Sequence, residues 1–177
     1  MSLNVKVALL TLVVALVLVN GAIYNKEQHL AHGQVVYLEL APVDPRSLMQ
    51  GDYMALRFQL ARSLYADLPK VKSEHGRQPV EAGDGYVVVS LGERNIATYR
   101  GLYQDQKLAE NERLLYYRVR QGRVKFATNA FYFQEGRAGI YEPARYGRFR
   151  VDEQGELLLV GLHDEQLAPL TPGEPAR

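Results

Sequence analysis

The chain has 177 residues, 47% of them hydrophobic and 23% charged, with a formal net charge of +1. That balance fits one modest domain with its own core, and it excludes a strongly basic nucleic-acid binder or a charge-dominated disordered chain. The absence of cysteine excludes disulfides, thiolate metal sites, a cysteine nucleophile and a cysteine-linked lipid anchor.

From Val7 to Tyr24 the only polar side chains are Thr11 and Asn20. Roughly 18 residues at about 1.5 Å each give a helix near 27 Å, enough to cross a hydrocarbon core. A soluble helix would show a polar face, which this run lacks. Residues 1–24 are therefore read as a single N-terminal transmembrane anchor. The alternative is a cleaved signal peptide, with Lys6 ahead of the run and Val19-Asn20-Gly21 or Asn20-Gly21-Ala22 as the cleavage triplet. Ala22, Ile23 and Tyr24 carry the run past either site and favour the anchor. A short leader with Lys6 predicts the amino terminus inside and the remainder outside.

Residues 25–33 are expected to be a polar linker, 34–166 an exported domain and 167–177, with Pro169, Pro172 and Pro175, a frayed tail. His29 and His32 have the i, i+3 spacing of two metal ligands. With no carboxylate pair beside them in sequence, a solvated linker is the preferred reading, and no metal or other cofactor is expected.

Gln34 to Ala41 alternates as a strand whose Leu38 and Leu40 face inward, ended by Pro42 and Pro45. Asp44-Pro45-Arg46 and then Gly51-Asp52-Tyr53-Met54-Ala55-Leu56 join a stiff turn, a corner and a strand start. The stretch reads GDYMALRF and resembles the bacterial membrane-anchored family named for the pattern GDYXXLXY, with Phe58 in place of the final tyrosine. No reaction is assigned to that family. The resemblance implies a companion of a multi-span integral membrane protein. It also implies a bacterial inner-membrane location, single-pass, with the C-terminal domain in the periplasm or outside the cell.

Period two puts Met54, Leu56, Phe58 and Leu60 on one face, read as core, and Tyr53, Ala55, Arg57 and Gln59 on the other. Asp44, Arg46, Asp52 and Tyr53 are candidate binding residues as one polar cluster. Turn chemistry is the bland account of the two aspartates, since each can accept backbone N–H bonds at a corner.

Leu60, Leu64 and Leu68 keep an i, i+4 spacing beside Tyr65, predicting a short helix stopped at Pro69. Lys70 to Gly85 reads as a long mobile loop. Strands follow at Tyr86 to Leu91 and Asn95 to Tyr103, and Asp105 to Glu112 is a polar connection. A hairpin is predicted from Arg113 to Thr128 around Gln121-Gly122, setting Val119 opposite Val124, Tyr117 opposite Phe126 and Leu115 opposite Thr128. Its outer face then opposes Arg118 to Lys125 and Arg120 to Arg123, and like charges directly opposite are destabilising. Solvent with Glu110, Glu112 and Glu135 nearby is the bland compensation. An anionic lipid or an acidic protein surface is the functional one, making Arg118, Arg120, Arg123 and Lys125 candidate binding residues.

Tyr132-Phe133-Gln134-Glu135-Gly136-Arg137-Ala138, with Glu142 and Ala144-Arg145, resembles the family's second block, although Gln134 replaces a proline. Glu135 and Glu142 are the positions carried over by that resemblance. Phe149 to Val151 and Leu157 to Leu162, joined through Gln154-Gly155, finish the sheet.

The fold expected is mainly β, a compact antiparallel barrel or sandwich with one or two short helices behind the anchor. The function expected is that of a membrane-anchored extracytoplasmic accessory or interaction domain. The alternative is a membrane-tethered hydrolase of signal-peptidase type, suggested by Leu48-Met49-Gln50-Gly51-Asp52-Tyr53. There Val43 occupies the serine position and Ser47 falls beyond the turn, and no other catalytic fingerprint occurs.

Overall fold

The structure is a computed structural model that describes residues 3–41, 49–50, 53–70 and 80–172. The first element is an unbroken helix, α1 (Leu3–His32), of 30 residues. It spans about 45 Å at 1.5 Å per residue. Mean hydropathy in its most apolar stretch is 2.4, with none of that stretch buried. The two polar side chains are answered within the helix: Thr11 Oγ1 donates to the Val7 carbonyl at 3.0 Å and Asn20 Nδ2 to the Leu16 carbonyl at 2.7 Å. Both bonds lay the polar groups along the helix's own carbonyls.

The polar linker expected at 25–33 is instead the last two turns of this helix. His29, 8% exposed, is drawn into the domain, and that contact holds the turns helical. The helix stops at Gly33, whose N–H reaches the His29 carbonyl at 2.9 Å. A Cβ there would stand 2.5 Å from that carbonyl oxygen and 3.1 Å from Arg150 Cβ, so only glycine fits. The first strand begins at the next residue, leaving no slack between helix and domain.

The strands form three small antiparallel sheets that curl around one core as a half-barrel. One contains β1 (Gln34–Glu39), β9 (Tyr146–Val151) and β10 (Leu157–His163), in the order β1-β9-β10. The second contains β2 (Met49–Gln50), β3 (Tyr53–Ala55) and β8 (Ala130–Tyr132). The third runs β5-β4-β6-β7, from β4 (Gly83–Leu91), β5 (Ala97–Leu102), β6 (Glu112–Arg120) and β7 (Arg123–Lys125). Isolated pairings stitch the sheets together. Leu40 pairs with Phe58 and Tyr37 with Ile96, and the Leu56 N–H reaches the Asn129 carbonyl at 2.7 Å. The mainly β fold with short helices, α2 (Gln59–Asp67) and α3 (Ala138–Tyr141), is the one the sequence predicts.

Burial follows the period-two reading of the family motif: Met54, Leu56, Phe58 and Leu60 are each at most 5% exposed. Leu60 and Leu64 turn the apolar face of α2 onto the same core. The Phe58 and Phe149 rings meet edge to face at 5.4 Å. Gly147 supplies the space, since a Cβ there would lie 3.0 Å from Phe149 and 3.2 Å from Phe58.

β4 begins at Gly83, three residues earlier than the sequence suggested, and Lys70 pairs with Val80 ahead of it. The last three residues of the supposed loop, Gly83 to Gly85, are therefore strand, while 71–79 lie outside the described residues. Val87, Val88, Val89 and Ser90 are buried in succession because β4 is central and covered on both faces. Tyr99 on β5 donates to Asp67 at 2.5 Å, closing α2 against the sheet. Burial and that carboxylate push the Tyr99 phenol far above its usual range.

The tail expected to fray from Leu167 folds back along β10. Asp164 Oδ1 accepts the N–H groups of Gln166 and Ala168 at 2.9 and 2.8 Å, Leu170 N–H reaches the Leu162 carbonyl at 2.9 Å, and Pro169 bridges to His163. Residues 173–177 of that tail lie outside the described residues. The return buries His163 to 4% exposure against the edge of Tyr37.

Two predictions follow from this packing. Gly147→Ala should lower the unfolding free energy by about 1–3 kcal/mol through overpacking, and Phe58→Ala by about 3–5 kcal/mol through cavity formation. Denaturant titration of the protein in detergent measures both, and a Phe58→Ala chain as stable as the parent would remove this face from the core.

Burial first, and then Arg148, hold His163 below the usual histidine value, against a weaker opposing pull from Asp164. The unfolded chain therefore takes up a proton near pH 6.5 that the folded chain refuses. Stability should be full above that value and fall as pH drops below it. His163→Gln should flatten that slope in denaturant midpoints taken between pH 7.5 and 5.5, values set about the unfolded histidine pKa of about 6.5.

Candidate functional site: a groove at the foot of the helix

A groove of about 720 Å3 opens where α1 meets the domain, between the polar turns of the helix, the start of β6 and the β9–β10 turn. Its helix side carries Lys26, His29 and His32, and its domain side Arg113, Asp152 and Glu153. His29 fixes the two sides together. Its Nε2 lies 2.9 Å from the Arg150 carbonyl and its Nδ1 3.5 Å from Asp152 Oδ2. The carbonyl only accepts, so Nε2 carries the hydrogen, and Nδ1 attracts the carboxylate when the ring is protonated. Arg150 completes the joint by donating Nη1 to the Gly33 carbonyl at 2.8 Å.

The domain side is equally constrained. Arg113 donates Nε to Gln34 Oε1 at 2.6 Å and Nη1 to the Glu110 and Glu112 carbonyls at 2.8 and 2.6 Å. Asp152 Oδ1 accepts the N–H groups of Gln154 and Glu156, forming the side-chain-closed turn expected of aspartate at a strand end. Gly155 takes a φ of +78° there, and a Cβ would sit 2.9 Å from the Leu114 carbonyl oxygen. The carboxylate missing beside His29 in the sequence thus comes from Asp152, 123 positions later, yet no group of three or more metal-ligating side chains occurs among the described residues.

The cationic hairpin has the predicted register at its tip: Arg118 opposes Lys125, Val119 opposes Val124 and Arg120 opposes Arg123. Gln121 and Gly122 both take positive φ, at 54° and 68°, as a type I′ turn requires. The ladder stops at Lys125 because Ala127 turns away with φ 47°, so Tyr117 with Phe126 and Leu115 with Thr128 do not pair as strand partners. Phe126 is nevertheless fully buried.

The compensation for the like charges comes from Asp84, not from Glu110, Glu112 or Glu135. Arg120 Nη1 lies 2.6 Å from Asp84 Oδ1 and its Nη2 3.0 Å from Oδ2. The bond from Arg120 leads in holding the Asp84 carboxyl below its ordinary value. Glu112 instead accepts the Ala109 N–H at 2.9 Å. Asp84 was assigned to a loop in the sequence; its place on β4 beside β6 puts it within reach.

Tyr53 sits on β3 opposite Tyr132 of β8, with ring centroids 5.8 Å apart, and Tyr132 is 75% exposed. Asp44, Arg46 and Asp52, its expected companions, lie outside the described residues, as do Ser47 and His75. Glu135 is exposed in the turn after β8, where Gly136 takes φ +77°, and Glu142 is exposed after α3. The second block does structural work through its aromatics: Tyr141 packs on Phe131 at 4.9 Å and on Phe133 at 5.2 Å. The structure thus gathers Arg118, Arg120, Arg123 and Lys125 on one hairpin and sets Tyr53 and Glu135 elsewhere. The groove residues Lys26, Arg113, Asp152 and Glu153 were not singled out by sequence. Their signals were the Asp152-to-Gly155 turn and Gly33 directly after a histidine-bearing turn.

Asp84→Asn should lower the denaturant midpoint at low salt, since Arg120 then faces Arg123 without its partner. The difference should shrink as salt rises, because exposed charges are screened within about 8–10 Å. Equal midpoints at low salt would show the ion pair to be idle.

Of known protein families, the one described as GDYXXLXY protein matches residues 15–162. No curated protein and no solved structure matches the chain.

Proposed function

Because the chain belongs to the GDYXXLXY family, which has no assigned reaction, we propose a role built on placement: a membrane-anchored interaction domain that works with a multi-span membrane protein. The observation that supports this reading most is the rigid joint. The apolar helix passes into the domain with no loop between them, and His29, Gly33 and Arg150 hold the two parts together. A tether meant only to retain a free domain needs no fixed angle or height, whereas docking onto another membrane protein uses both. In this reading the amino terminus is cytoplasmic and the domain periplasmic.

The exposed Tyr132 beside Tyr53 and the cations of the β6–β7 hairpin are the surfaces such a partner would meet. An aromatic pair and Arg side chains are the residue types that dominate protein interfaces. Asp84 holds Arg120 in place for that contact.

The chain should stay in the membrane fraction after carbonate extraction with residues before Gly21 retained, and should co-purify from native membranes with a multi-span protein. Inserting Gly-Ser-Gly between Gly33 and Gln34 should leave anchoring intact and reduce recovery of that partner. A mature N-terminus at Ala22 would end the anchor reading, and recovery unaffected by the insertion would show that the fixed joint has no part in the interaction.

A further inference from the structure

The groove at the joint lies immediately beyond the apolar run. Lys26 is two residues past Tyr24 and His29 five, so they stand about 3 Å and about 8 Å above the edge of the hydrocarbon for a helix near the membrane normal. The headgroup layer is about 5–8 Å deep on each side of a bilayer. Part of the groove therefore stands within that layer, and a lipid of the same leaflet reaches it without leaving the membrane.

The lining decides what kind of headgroup fits. Lys26 and Arg113 present positive charge, Asp152 and Glu153 negative charge, and Leu108 and Leu114 an apolar wall. A purely anionic headgroup would meet two carboxylates as well as two cations. A zwitterion satisfies both pairs, with phosphate toward Lys26 and Arg113 and an amine toward Asp152 and Glu153. A primary ammonium donates up to three hydrogen bonds to such carboxylates, as a lysine ammonium does, whereas a quaternary ammonium has no N–H to donate. Arg113 and Asp152 are already held by backbone and side-chain bonds, so this charge pattern is set before any ligand arrives.

We propose that the groove is a binding site for the headgroup of an aminophospholipid, with phosphate on the Lys26–Arg113 side and ammonium on the Asp152–Glu153 side. The site rests on the membrane tether and not on the protein partner, so it holds or fails independently of co-purification. A lipid seated there would brace the joint beside the His29 contact.

The test uses the full chain, purified in detergent and reconstituted into vesicles of equal parts phosphatidylethanolamine, phosphatidylglycerol and phosphatidylcholine, with retained lipid read by native mass spectrometry. Phosphatidylethanolamine should be retained about fivefold or more over either competitor, as expected for one charge contact near a membrane. Glu153→Gln should abolish the preference and Lys26→Gln should lower retention of all three lipids, whose phosphate it would meet, both at exposed positions and with unchanged circular dichroism, while Arg123→Gln on the distant hairpin changes neither. Equal retention of the three lipids, preference for phosphatidylglycerol, preference surviving Glu153→Gln, or total retention unmoved by Lys26→Gln would overturn the proposal. Displacement by soluble glycerophosphoethanolamine at concentrations matching the lipid would overturn it as well, in favour of a soluble ligand.

Discussion

The contact between His29 and the Arg150 carbonyl is the constraint from which the rest of the molecule's organisation follows. A long apolar helix and a β domain with its own core have no intrinsic reason to hold a fixed relation. Burying a polar imidazole against a strand carbonyl removes that freedom, because the ring would otherwise leave a desolvated donor without a partner. Gly33 lets the helix end within reach, and the Arg150 guanidinium closes the remaining carbonyl. Helix continuity, the absence of a linker and the groove beneath the β9–β10 turn all depend on this one joint.

Beyond the joint, stability rests on one shared core. β4 is buried on both faces, and its valines meet residues from the other two sheets. The Phe58–Phe149 contact over Gly147 ties the family motif to β9, so the motif acts chiefly by packing. Phenylalanine in the final motif position is consistent with that role, since the ring is 3% exposed and points into the core. The hairpin's like-charge pairs are carried at the periphery, where Asp84 neutralises one cation and solvent screens the rest.

Neither the hairpin nor the groove assembles a nucleophile with a base among the described residues. What they offer is charge at fixed positions, held by Arg113 and Asp152 in the groove and by Asp84 on the hairpin. The mixed-sign groove at the foot of the helix and the cationic hairpin are two separate surfaces.

The sequence alone determined what depends on local pattern. The apolar run fixed the helix, alternation fixed which side of the motif is buried, and Gln121-Gly122 fixed the hairpin register at its tip, because each signal is carried by neighbouring residues. It misjudged Asn25–His32, Gly83–Gly85 and Leu167–Leu170, whose polar or Gly- and Pro-rich composition reads locally as loop. Tertiary partners decided those segments: β9 for the helix end, β6 for the start of β4, and β10 for the returning tail. The Asp84–Arg120 pair and the meeting of His29 with Asp152 were invisible for the same reason, since they join residues 36 and 123 positions apart. Periodicity reports the environment of a residue's own element, whereas which distant charge stands beside it is set only when the sheets close around the core.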